Sequence, residues 1–130
     1  MEYYSAQEKE KLKNITPANS TISFEKLSSY FSITAEALQK VDDAGIKKDD
    51  ENANDFWVMA VSYFSDAKHF ALEKNDFVLA FGALNYAHAW LDAGARIGFF
   101  NVKDSRLFAV DDEEWFLVFY DKKYFYSVKY

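Results

Sequence analysis

Between Phe77 and about Ile97 the chain is apolar on nearly every side of a helix, with its polar residues, Asn85, His88, Asp92 and Arg96, along a single line. Surface helices keep a polar face toward water, so a helix of this pattern is expected to be covered on several sides. The rest of the chain must supply that cover. Half of the 130 residues are apolar and 19% are aromatic, which is material for one sizeable core in a chain of single-domain length.

The segments before it read as two further helices. From Phe24 the apolar residues Phe24, Leu27, Phe31, Ala35, Leu38 and Val41 recur at three and four, the spacing of one helical face, with Ser23 as cap and Gly45 at the end. A second helix begins near Asp50 to Asp55, after the charged connector Lys47 to Glu51. It carries Phe56, Ala60, Tyr63, Ala67 and Phe70 on one stripe and Trp57, Val61, Phe64 and Leu72 on the next, so its buried face is wide. Asn75 tolerates the left-handed conformation and Asp76 can cap the following helix, which makes Lys74-Asn75-Asp76 a tight turn between antiparallel helices. Small residues at Ala80, Ala83 and Ala87 let those helices approach closely.

Residues 2 to 14 are charged and suit a short peripheral helix, which Pro17 and the polar run Ala18 to Thr21 separate from the remainder. After Gly98 the character changes. Val102 to Val110 reads as loop followed by a short extended piece. Trp115 to Tyr120 and Lys123 to Tyr130 flank an Asp-Lys-Lys turn, and Tyr124, Tyr126, Val128 and Tyr130 alternate with Lys123, Ser127 and Lys129, the period of a half-buried strand. The expected architecture is mainly α: an up-and-down three-helix bundle over residues 20–98, with a helical arm at 1–19. A C-terminal β-hairpin or extended aromatic tail follows at 99–130, all in one domain spanning 1–130.

Composition narrows function. The formal charge of −6 comes with only two arginines, Arg96 and Arg106, a poor endowment for gripping phosphates, so nucleic acid is not an expected partner. The absence of cysteine removes thiolate nucleophiles and thiolate zinc sites. The start lacks the basic and apolar regions of a signal peptide, and the longest apolar run, Phe77 to Leu84, is far below the roughly 18 residues of a membrane span. A cytoplasmic location away from membranes is expected.

Three stretches, Tyr63-Phe-Ser-Asp-Ala-Lys-His-Phe, Glu73-Lys-Asn-Asp-Phe-Val-Leu-Ala-Phe and Asn85-Tyr-Ala-His-Ala-Trp-Leu-Asp-Ala-Gly94, resemble the archaeal domain of unknown function number 357. The resemblance runs from about Phe24 to Val110 and leaves the final twenty residues outside. Its most specific pieces are Tyr86-Ala-His88 and Leu91-Asp92-Ala-Gly94. Asn75 stands where many relatives carry glycine, and both residues tolerate positive φ. The resemblance implies a short three-helix bundle and supplies no activity.

Antiparallel residues sit at mirrored distances from their turn, which places Asp66 near Leu84 and Asn85 and Ser62 near His88. Asp66, Asn85, His88 and Asp92 are therefore expected to form one polar patch, in which one carboxylate orients the imidazole and the other shares a metal or a proton. The competing expectation is a hydrogen-bond network between helices. Arg96 complements the helix dipole in the last turn and stands within reach of Asp92. No glycine-rich phosphate loop, zinc helix or nucleophile elbow is present, and no cofactor or metal is assigned.

The leading expectation is thus a non-enzymatic protein-interaction or self-associating domain, a homodimer or adaptor. Its candidate aromatic surface comprises Trp90, Trp115, Phe116, Phe119 and Tyr124, because aromatics exceed what three short helices can hide. The alternative is a weak metal-dependent or acid–base enzyme centred on His88, Asp92 and Asp66.

Overall fold

A computed structural model describes residues 2–110. Four helices follow in order: α1 (Ala6–Lys13), α2 (Phe24–Ala44), α3 (Glu51–Leu72) and α4 (Phe77–Arg96). Each begins on a side chain that satisfies otherwise orphaned backbone N–H groups. Ser23 accepts from Lys26 N–H at 3.1 Å, Asp50 from Asn52 and Ala53 at 2.9 and 3.1 Å, and Asp76 from Leu79 at 2.9 Å. The expected turn is present, with Asn75 at φ 57° between α3 and α4.

The arm α1 buries nothing and is held by local chemistry. Ser5 and Glu8 form a reciprocal capping box, Glu8 N–H donating to Ser5 Oγ at 3.1 Å and Ser5 N–H to Glu8 Oε2 at 2.8 Å. These bonds hold the Glu8 carboxyl below its ordinary range, the Ser5 backbone contributing most and its hydroxyl next. A depressed carboxylate stabilises above its unfolded pKa, and that contribution is lost as pH falls through the lower folded value. Helical chemical shifts over 6–13 are accordingly expected to collapse in acid below about pH 4 while α2 to α4 persist. An α1 indifferent to acid would remove the box as its cause.

The main frame is the antiparallel pair α3 and α4, with α2 laid chiefly on α4 and barely on α3. Small residues let the pair close. Ala53, Ala60 and Ala67 are fully buried on α3, and they mirror Gly94, Ala87 and Ala80 across the turn, all buried on α4. Larger side chains then fill two core clusters at either end of the bundle. One gathers Leu27, Ala67, Ala71, Ala80 and Leu84; the other gathers Ala37, Val41, Ala60, Leu91, Ala95, Phe100, Leu107 and Phe108.

The second cluster depends on the segment after α4. Gly98, at φ 86°, reverses the chain, and the N–H groups of Phe99 and Phe100 both reach the Gly94 carbonyl at 2.8 and 3.3 Å. Phe100 is thereby laid over Gly94 and is fully buried, its ring edge occupying the space where a Cβ at Gly94 would stand. An isolated antiparallel bridge joins Phe100 to Ile46, and Lys47 N–H donates to Phe99 C=O at 2.8 Å, tying the α2–α3 connector to this segment.

Five sequence expectations are corrected or fall elsewhere. The inner face of α2 keeps Leu27, Phe31, Leu38 and Val41 against the core as expected, but it also takes in Thr34 and Ala37, and Phe24 and Ala35 are exposed. On α3, Trp57 and Phe64 are half-buried but Val61 and Leu72 face solvent, because α2 is too slight a neighbour of α3 to cover the whole second stripe. The short extended piece before Val110 is a turn, since the Asp104 carbonyl accepts from both Leu107 and Phe108 N–H at 3.0 and 2.9 Å. The hairpin over Trp115 to Tyr130 lies outside the described residues, among which no strand occurs.

The fifth concerns α4 itself. Among the described residues, α2 and α3 cover two of its sides, and a third is bare. Val78, Leu79, Gly82, Tyr86, Ala89, Ala93 and Ile97 are all exposed along that side.

Candidate functional site: the polar seam of α4

Successive turns of α4 bring His88, Asp92 and Arg96 into one line, four residues apart, beside α2. The segment 107–109 lies along this line and uses all three. His88 Nε2 stands 2.6 Å from the Leu107 carbonyl, and its Nδ1 stands 2.9 Å from Thr34 Oγ1 on α2. A carbonyl only accepts, so Nε2 carries the proton, and in the neutral ring Nδ1 accepts from the Thr34 hydroxyl. One turn on, Asp92 Oδ1 accepts from Ala109 N–H at 2.9 Å, and Arg96 Nη1 donates to Ala109 C=O at 3.1 Å.

The seam is therefore a backbone cradle. It satisfies both polar groups of Ala109 and the carbonyl of Leu107, while Leu107 and Phe108 drop their side chains into the core. Asp92 Oδ1 also lies 3.7 Å from His88 Nε2, which favours the proton on that nitrogen. At the edge Arg106 donates to Glu36 Oε1 at 2.6 Å and to Asp104 Oδ2 at 3.5 Å. Its guanidinium pKa is raised, first by the hydrogen bond to Glu36, so this clasp stays charged on the cationic side at every ordinary pH.

Beside the seam a groove of about 320 Å³ opens between α2 and α4, lined by Tyr30, Ile33, Thr34, Asn85, His88, Ala89 and Asp92. Three members of the expected patch, Asn85, His88 and Asp92, thus share one site. Asp66 does not join them: it is exposed on α3 and lines no part of the groove. Mirroring about a turn fixes the level at which residues meet but not the direction they face, and the α4 stripe faces α2. Among the described residues no three histidine, cysteine, aspartate or glutamate side chains stand close enough to hold a metal ion, so Asp66, His88 and Asp92 do not form a ligand set. Asn85 Nδ2 donates back to the Phe81 carbonyl at 3.0 Å within α4.

Both nitrogens of His88 are occupied by protein atoms. While those bonds stand, neither is open to a substrate, and the residue acts as a pin between α2, α4 and the 107–109 segment. The pin was hard to foresee because one partner, Thr34, lies 54 residues away and the other is a backbone carbonyl.

The aromatic candidates divide. Trp115, Phe116, Phe119 and Tyr124 lie outside the described residues. Trp90 is half-buried in a row of rings along the junction of α3 and α4. Phe99 and Phe56 are 5.0 Å apart, Phe56 and Trp90 4.9 Å, Trp90 and Tyr86 6.2 Å, and Tyr86 and Tyr63 4.4 Å, each edge to face. The Trp90 indole N–H is buried with no hydrogen-bond partner among the described residues. Tyr86, 47% exposed, is the ring this row presents to solvent, and it joins the row to the bare side of α4.

The fold and seam define a small helical bundle whose polar stripe serves architecture. The chain belongs to the protein family of unknown function DUF357, whose model matches residues 29–100. The match takes in α2 from Ser29 onward, all of α3 and α4 and the Phe100 closure, and stops short of the 107–109 stitch. No curated protein and no solved structure matches the chain. Among the described residues no helix is long and apolar enough to cross a membrane.

Proposed function

We propose that this protein is a non-enzymatic interaction domain of the cytoplasm, which binds a protein partner or a second copy of itself through the outer side of α4. The observation that carries this reading is the bare strip of seven apolar residues from Val78 to Ile97. Val78, Leu79, Tyr86 and Ile97 are each between 44% and 61% exposed, and no charged side chain interrupts the strip. At 1.5 Å per residue it extends about 29 Å, and contiguous apolar surface of this kind marks interaction sites rather than ordinary monomer surface. Gly82, Ala89 and Ala93 along its middle let another backbone approach, with Tyr86 as an aromatic anchor of the type that dominates interface energetics.

The test is sedimentation of the full chain over a wide concentration range, paired with affinity purification, for the wild type and for Leu79→Glu and Tyr86→Glu. Both positions are exposed, so the fold is expected to survive. Association, or a stoichiometric protein, that both substitutions abolish supports the reading. A wild-type chain that stays monomeric at every concentration and retains no protein overturns it.

A further inference from the structure

The groove between α2 and α4 is rich in unused acceptors and poor in unused donors. Its volume of about 320 Å³ stands at the lower end of the range that small-molecule sites occupy. Most of its donors are spent within the protein. The Thr34 hydroxyl gives its proton to His88 Nδ1, His88 Nε2–H goes to the Leu107 carbonyl, and Asn85 Nδ2 donates to Phe81 C=O. Among the described residues, Asp92 Oδ2, Asn85 Oδ1 and the Tyr30 hydroxyl have no partner.

Charge points the same way. With His88 neutral, Asp92 is the charged group among the residues that line the groove, and no lysine or arginine is among them. Arg96 reaches instead to the Ala109 carbonyl, and Lys26 lies over the Phe81 ring at 6.0 Å. A half-buried carboxylate beside unused oxygens calls for a ligand that brings N–H donors and positive charge. A carboxylate or phosphate would set lone pairs against lone pairs.

We propose that this groove binds a short aliphatic diamine, with one ammonium on Asp92, the other on Asn85 and Tyr30, and the carbon chain along Ile33 and Ala89. Length supports two ends rather than one. Asn85 and Asp92 are two turns apart on α4, about 10.5 Å. A hydrogen bond of about 2.9 Å at each end leaves about 5 Å between the two ligand nitrogens, the reach of a three- or four-carbon chain. Exposed Ile33 and Ala89 give that chain an apolar wall. The groove shares only Ala89 with the outer strip of α4, so the site does not rest on the interaction reading.

Calorimetric titration of the full chain at low salt tests this, with 1,4-diaminobutane, n-butylamine and succinate as probes. The diamine is expected to bind at least about tenfold more tightly than n-butylamine, which carries the single ammonium of a lysine side chain, and succinate is expected not to bind. Asp92→Asn keeps an oxygen for the Ala109 N–H but loses the charge. Ile33→Lys, at an exposed position of the groove wall, adds a resident ammonium. Each should weaken diamine binding at least about tenfold while helical circular dichroism stays at the wild-type level. Leu79→Glu, on the outer side of α4, should leave it unchanged, which separates failure of this site from failure of the interaction reading. No saturable binding of the diamine, or binding that ignores both groove substitutions, would overturn the proposal. So would n-butylamine binding as tightly as the diamine, which assigns the groove to a lysine side chain of another protein, or succinate binding as tightly.

Discussion

Gly94→Ala is expected to destabilise the protein, against the sign that helix propensity gives. Alanine in a helix interior gains about 1 kcal/mol over glycine. Here the new Cβ would enter the Phe100 ring, against Cε2, Cδ2 and Cζ, and overpacking of this kind costs about 1–3 kcal/mol or more. The ring cannot swing away, because Phe100 is fully buried and its own N–H and that of Phe99 are held by the Gly94 carbonyl. Overpacking therefore wins. Gly94→Val, with two further methyl groups and a smaller propensity gain, is expected to cost at least about 3 kcal/mol, a large share of the stability of a small domain. Urea unfolding of Gly94→Ala, Phe100→Leu and the double variant measures the coupling, and the double should be less unstable than the singles sum to. A neutral or stabilised Gly94→Ala would mean that Phe100 does not sit where it is described.

The second large effect falls on His88. His88→Phe keeps most of the ring volume but leaves the Leu107 carbonyl and the Thr34 hydroxyl without their partner. Two part-buried groups left unsatisfied cost about 2–4 kcal/mol together. Because the bonds converge on 107–109, amide exchange at Leu107 to Val110 should accelerate more than exchange within α3. His88→Phe with wild-type urea midpoint and wild-type exchange would show that the pin carries no load.

Where local chemistry decides structure, the sequence was a good guide. Ser23, Asp50 and Asp76 begin their helices, Gly45 and Asn75 end or turn the chain, and α4 runs over almost the span expected. What misled was azimuth. Periodicity on α2 finds Leu27, Phe31, Leu38 and Val41 but adds Phe24 and Ala35 and passes over Thr34, which is buried because a histidine 54 positions away gives its hydroxyl a partner, and hydropathy does not register a satisfied polar group. Similarly, mirroring about the turn brings Asp66 toward the polar line on α4, but that line meets the backbone of 107–109, which no side-chain pattern announces. Asn85, His88 and Asp92 line one groove, and the hydrogen bonds of His88 and Asp92 are those of a network between helices, the competing expectation for this stripe.

The matched small residues of α3 and α4 bear on the order in which the molecule assembles. Ala53, Ala60, Ala67 and their counterparts Ala80, Ala87 and Gly94 belong to one continuous stretch joined by a short turn, so their seam forms with little loop-closure entropy. The stitch at 107–109 then closes spans of 17 and 19 residues to Asp92 and His88. The docking of α2 must bridge far more, 54 residues between Thr34 and His88 and 70 between Glu36 and Arg106. Contacts of low sequence separation form fast and distant ones slowly. The helical hairpin is thus the natural nucleus, and the arrival of α2 is the step that sets the folding rate.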